Sequence, residues 1–339
     1  MLLKFYVGID VSKLTLDVFV RETKSHKQFK NDLDGFGLLV KWLEKQTKNH
    51  LDDVLVCFEH TGLYSLPLAI FLEEKEIKFS MISALEIKKS LGITRGKNDY
   101  IDAKRIADFA NRFSDKISQT KLPAKDVRKI QSLLALRERM VTSLSGYTVT
   151  QNETVRTMQK EDFPELFFAY QAIISTLKEE IKKLEKTIKE IIQNNEQLKK
   201  SFELLTTVKG IGFTVATHLI VYTHNFTRFD NWRKFACYSG IAPFDYQSGT
   251  SVRGKTQVSH VANKQVKKML HMAAVCAVHY DTEMREYYAR RQADGKSKMA
   301  IINIVRNKLV SRAFAVIKRG TPFVDIKKYA AGQNKKEKS

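Results

Sequence analysis

Short β-runs that give way to alternating helical and strand patterns predict a mixed α/β sheet in the first third of this 339-residue chain. From residue 124 onward, long stretches with apolar residues three and four apart predict a mainly α-helical remainder. The first β-runs, FYVGID and LTLDVFV, flank the turn-prone Ser12 and Lys13 and read as a hairpin. A polar third strand is expected near His26 to Lys30. FGLLVKWLEKQ then places Phe36, Leu39, Trp42 and Leu43 at helical spacing. LDDVLVCFEHTG reads as a buried strand ending at Glu59, followed by a helix over 63–74, a strand in KFSMIS and helical segments through Arg112. Three strands, a helix, then strands alternating with helices are the pattern of a ribonuclease H-like sheet.

Pro123 marks a boundary, and a long helix is expected from about Ala124 to Gln159. After Pro164, Ile174, Leu177, Ile181, Leu184, Ile188, Ile191 and Leu198 form a heptad seam broken at Asn195. That seam fits an α-helical hairpin within the chain or an intermolecular coiled coil. Lys209, Gly210, Ile211 and Gly212 join two further helical patterns, in the manner of a helix-hairpin-helix that grips phosphates through glycine backbone and a helix start, or of a plain interhelical turn. Residues 235–270 are turn-rich at first, the chain is helical and basic to about Arg319, and a disordered tail is expected after that.

Charge is unevenly placed. Residues 1–120 hold 19 Lys and Arg against 17 Asp and Glu, whereas residues 121–339 hold 39 against 20, so nearly all of the net charge of +21 lies in the second part. A polycation of that kind suits a phosphate-backbone partner, because each neutralised phosphate releases condensed counterions. A solvated basic face and an anionic membrane surface are the alternatives. Cys57, Cys237 and Cys276 lie far apart in apolar surroundings, so neither a disulfide framework nor a cysteine zinc site is expected. No apolar run is long enough to span a bilayer or serve as a signal peptide, and a reducing cytoplasm is the expected compartment.

Four carboxylates stand where a metal site on such a sheet needs them. Asp10 ends the first strand in VGIDVSK, Glu59 ends a later strand in VCFEHTG, and Asp99 and Asp102 share one helix face in KNDYIDA. Taken singly, an Asp after a strand reads as a turn residue and an Asp pair at a helix start as a cap. As an ordered set, hard oxygen ligands predict bound Mg²⁺ (or Mn²⁺), which favours in-line displacement at phosphorus.

GIDVSK, FEHTGLY and KNDYIDA, with FACYSGIAPFDYQSGTSVRGKTQVSHVANKQVKKML later in the chain, resemble a bacterial insertion-sequence transposase family, numbered one hundred and ten. That family includes the Piv-type DNA invertases and recombinases guided by a bridge RNA. The resemblance spans about Tyr6 to Phe323. It implies a Holliday-junction-resolvase-like DEDD catalytic domain over 1–120, a helical or coiled-coil linker over 121–200, a C-terminal transposase domain over 201–325 and a basic tail over 326–339. It implies catalytic and metal roles for Asp10, Glu59, Asp99 and Asp102, and a nucleophilic Ser248 acting with them in a composite site. It also implies a guide RNA and a dimer or tetramer. By chemistry alone Ser248 beside Gly249 is a turn serine, with Thr250 and Ser251 as competing hydroxyls; only the family pattern selects it. Lys209, Gly210, Gly212, Arg253, Lys255, Lys264, Lys267 and Lys268 are candidate nucleic-acid contacts, as are Arg306, Lys308, Arg312, Lys318 and Arg319. Tyr238 and Tyr246 are candidates for base stacking or for core positions. The expected activity is cleavage and rejoining of DNA by a transposase. A hydrolytic junction resolvase using the acidic site alone, and a catalytically inert nucleic-acid-binding scaffold, are the competing readings.

Overall fold

A computed structural model describes residues 3–90, 98–245, 247–248, 252–254, 257–259 and 261–324, with backbone only at 247–248 and 252–253. Tyr246, Thr250, Ser251, Lys255 and the tail after 325 lie outside the described residues. Two compact units meet in sequence between Leu122 and Pro123.

In the first unit, β1 (Phe5–Val11), β2 (Thr15–Val20) and β3 (Ser25–Lys30) form an antiparallel meander. Helix α1 (Leu33–Gln46) follows, then β4 (Val54–Glu59), α2 (Leu66–Glu74), β5 (Phe79–Ile82), α3 (Ala84–Ser90) and α4 (Asp99–Arg112). The sheet order is β3-β2-β1-β4-β5, with β4 parallel to β1 and β5 parallel to β4. Alternation splits β1 cleanly. Val7, Ile9 and Val11 face a core that includes Phe36, Leu39, Leu43, Leu68 and Leu72 of α1 and α2. Tyr6 joins Leu55, Cys57, Ile106 and Phe109 on the other face, beneath α4. The helix expected from residue 63 begins only at Leu66, because Thr61 to Ser65 form a turn closed by the Ser65 hydroxyl, which accepts from Thr61 N–H and donates to the Gly62 carbonyl.

Gly8 decides how α4 sits. A Cβ built there would collide with the Ala103 carbonyl oxygen and the Ala107 amide nitrogen, so only a glycine lets the helix backbone lie directly on the strand. Phe19, paired with Gly8 across β2, packs with Ala103 and Ala107 beside that contact. Asn98 caps the helix by accepting from Ile101 N–H at 2.7 Å.

The second unit begins with α5 (Lys125–Thr157) and α6 (Pro164–Asn194), an antiparallel hairpin. Its register is marked by Arg137 to Glu185 at 2.6 Å and by Asn195 Nδ2 donating to Asp126 at 2.8 Å. The heptad residues Ile174, Ile181 and Ile188 are buried in this hairpin. Asn195 breaks the helix as expected and caps α7 (Glu196–Thr206). After α8 (Phe213–Tyr222) and α9 (Trp232–Tyr238) the described residues include the two-residue strands β6 (Pro243–Phe244), β7 (Gln247–Ser248), β8 (Val252–Arg253) and β9 (Gln257–Val258). The chain then forms α10 (Lys264–Tyr280), α11 (Thr282–Ala293) and α12 (Lys298–Arg319). Cys57 is buried and its thiol is pushed up to about 12 by burial, whereas Cys237 and Cys276 are exposed, contrary to the apolar settings expected for all three. Ala236 and Ala277, next to them in sequence, are buried while the two thiols face out. Among the described residues no helix is long and apolar enough to cross a membrane.

Gly8→Ala is expected to destabilise the first unit by about 2–3 kcal/mol, as overpacking against backbone does. Urea unfolding of the two proteins, compared by midpoint at equal slope, checks this.

Candidate active site

Asp10 and Asp17 are direct partners in the β1–β2 register, and residues paired across strands point to one face. Ile9 pairs with Phe58 of β4, so the next residue of each strand, Asp10 and Glu59, emerges together on the face opposite those two side chains. That is the α4 face. With α4 seated on Gly8, the first turn of the helix brings Asp99 and Asp102 toward the same strand ends.

The electrostatics record the convergence. The Asp10 carboxyl is raised from 3.8 to about 6, first by burial, then by the charges of Asp102, Asp99, Glu59 and Asp17 in that order. All four carboxylates singled out from the sequence therefore share one neighbourhood, and Asp17 is a fifth that sequence reasoning missed. Alternation in LTLDVFV puts Asp17 opposite Leu16, Val18 and Val20, on the side it shares with Phe19, and only that apolar neighbour hinted that this side is covered too. Asp17 is buried and is held by His26 Nε2 at 3.0 Å and Gln28 Nε2 at 2.9 Å. Asp102 accepts from Arg105 at 2.9 Å. Among the described residues no three acidic, histidine or cysteine groups close on one cation position. The donor set itself is the hard oxygen set that a divalent cation takes.

The second unit carries the other candidates. Ser248 ends β7, whose backbone pairs with β8 so that Ser248 opposes Val252 and Gln247 opposes Arg253. Lys255 lies outside the described residues. Gly210 has φ +93, and a Cβ there would stand 2.8 Å from the Ala277 side chain and 2.9 Å from the Ala273 carbonyl, so its glycine serves the packing of the 207–212 link on α10. Gly212 is open and starts α8 without a side-chain cap, and Lys209 is half-buried. Lys264 and Lys268 are exposed on α10 and Lys267 is half-buried. Tyr238 is half-buried, its hydroxyl accepting from Asn263 and its ring covered by Arg228 at 4.7 Å.

Two family models match this chain. A DEDD transposase model of the IS110 type, described as Transposase, matches residues 7–159, and a model described as Transposase IS116/IS110/IS902 family matches residues 202–289. The chain belongs to the IS110 transposase family. Similar proteins carry related names. Pilin gene-inverting proteins of Moraxella bovis and Moraxella lacunata are each 28% identical over 327 residues, spanning 94% of this chain and 98% of theirs. An uncharacterized 43.6 kDa protein of insertion element IS110 from Streptomyces coelicolor is 32% identical over 119 residues, 35% of this chain and 29% of that protein. This IS110-family chain is thus an enzyme of the DNA transposase and recombinase class.

Asp10 binds a proton in the folded state over the window from about 6 down to 3.8, where the unfolded chain has lost it. Stability therefore falls as pH rises through that window. Without divalent cations, Asp10→Asn is expected to raise the melting temperature by a few degrees at pH 8 and to match the unsubstituted protein near pH 4. Adding Mg²⁺ at pH 8 should raise the melting temperature of the parent and leave that of Asp10→Asn unchanged; thermal unfolding in chelator and in Mg²⁺ reads both.

Proposed function

We propose that this chain is a transposase that cleaves and rejoins the DNA strands of an insertion element, with Asp10, Glu59, Asp99 and Asp102 as metal ligands and Ser248 as nucleophile. The observation that carries the reading is the coupling of Asp10 to Glu59, Asp99 and Asp102, from three separate segments of sequence. The meander followed by two parallel strands supports a ribonuclease H-like DEDD domain over 1–120. The antiparallel α5–α6 pair supports a coiled-coil linker over 121–200, with a transposase domain over 201–325 and a basic tail over 326–339.

Mg²⁺ (or Mn²⁺) on the four carboxylates would neutralise charge at the scissile phosphate. The Ser248 oxygen attacks the phosphorus, its P–O bond forms as the bond to the leaving deoxyribose oxygen breaks, and that oxygen takes up a proton. The phosphoserine link conserves a phosphodiester, so a hydroxyl from another strand reverses the step and the serine regains its proton. In this reading, as the family resemblance implies, the serine acts together with the acidic cluster in a dimer or tetramer. A structured guide RNA is a further partner of this reading, supported by the charge of +19 carried by residues 121–339 against +2 in the first 120.

Ser248→Ala is expected to abolish covalent protein–DNA adducts on a substrate carrying element ends, detected by denaturing gel after rapid quench. Adducts that persist would remove the serine. Free ends in the absence of any adduct from the unsubstituted protein would favour the hydrolytic resolvase reading instead.

A further inference from the structure

The basic residues of α12 offer themselves equally to solvent and to phosphate when read from sequence, and the structure separates them. Arg312 is tied to Asp281 at 2.9 Å and to Glu283 at 2.6 Å. Lys308 lies over the Tyr287 ring at 4.4 Å. Arg306 is different: it is only 5% exposed, and among the described residues no carboxylate reaches it. Its Nη2 donates to His271 Nδ1 at 2.5 Å, its Nη1 makes a long bond to Asn303 at 3.4 Å, and its Nε is buried with no partner.

A buried guanidinium without an anion is strongly unfavourable, and an apolar side chain of similar size would do better in a core. Its neighbours are arranged around the same spot. With Nδ1 accepting from Arg306, the His271 ring is neutral and its proton sits on Nε2, leaving that nitrogen a donor. Burial and the Arg306 charge hold His271 below the usual imidazole range, and burial lowers Arg306 too, as expected where no anion balances them. Lys267 lies one turn before His271 on the same side of α10, and both are half-buried. On the neighbouring α12, Asn303 and Asn307 both donate to the Ile241 carbonyl, at 2.9 and 3.0 Å. They pin the backbone that runs directly into β6 and on to Ser248.

We propose that the seam between α10 and α12 seats one backbone phosphate of DNA, with Lys267 and His271 at its mouth and Arg306 as the buried charge behind them. This rests on the reading that the chain binds DNA in order to cut and rejoin it. The seat would hold a phosphodiester near the segment that carries the serine, supplying the anion that Arg306 lacks within the protein. The planar, permanently charged guanidinium suits a phosphate, and its fixed place behind His271 keeps both donors oriented before DNA arrives.

The full chain tests this by anisotropy with a mixed-sequence DNA duplex across a salt series, alongside thermal unfolding without nucleic acid. R306M is expected to melt at or above the parent temperature, yet to bind DNA about tenfold more weakly at 0.1 M salt, with a log–log salt slope shallower by about 0.9. H271A, at the mouth, is expected to weaken binding severalfold and to lower the melting temperature, since Arg306 loses its short hydrogen bond. R306M that melts lower while keeping parental affinity and slope overturns the seat, and so does parental binding by H271A. Weakening confined to an RNA hairpin overturns the assignment to DNA. Failure of the unsubstituted chain to bind DNA at all would instead sink the functional reading.

Discussion

The first unit depends on one contact, the backbone of α4 lying on the bare Cα of Gly8. Burial of Ala103, Ala107, Ile106 and Phe109 against β1 and its neighbours holds the helix down, while the acidic groups at its first turn push against Asp10. Apolar burial of four such side chains amounts to several kcal/mol, which exceeds the repulsion among partly solvated carboxylates. The fold therefore holds the charges together and a neutralising cation would relieve them. Asp17, anchored by His26 and Gln28, adds a fifth negative charge that is fixed in place.

That arrangement explains why the four acidic positions tolerate their separation in sequence. Asp10 and Glu59 are fixed by parallel pairing of β1 and β4, and Asp99 and Asp102 by a helix whose start is capped by Asn98. Asn98 takes the capping role, so the two aspartates of the first turn are left to face the strand ends. Tyr100, between them, packs edge-on to Phe19 at 5.7 Å and to His26 at 5.0 Å, which ties the helix start to β2 and β3.

The second unit solves a different problem, the assembly of a polycation. Its core is apolar and extends from α5 to α12, and most of its excess charge lies around that core, whereas Arg306 is buried. Acidic residues balance some cations, as Asp281 and Glu283 do for Arg312, and aromatic faces take others, as with Arg228 on Tyr238. The match to the relatives from Moraxella spans both units.

Sequence alone determined the meander, the long helices, the break at Asn195 and the four carboxylates, because periodicity and local capping are properties of neighbouring residues. It located the family too, through short motifs taken in combination. It did not reveal that Gly8 seats α4, that Asp17 joins the acidic group, or that Gly210 serves packing on α10. Nor could it tell Arg306, buried without a carboxylate, from Arg312, doubly paired. Each of those depends on which distant backbone or charge comes within a few ångströms, and chain separation of tens of residues leaves no periodic trace of it. Tertiary packing alone decided them.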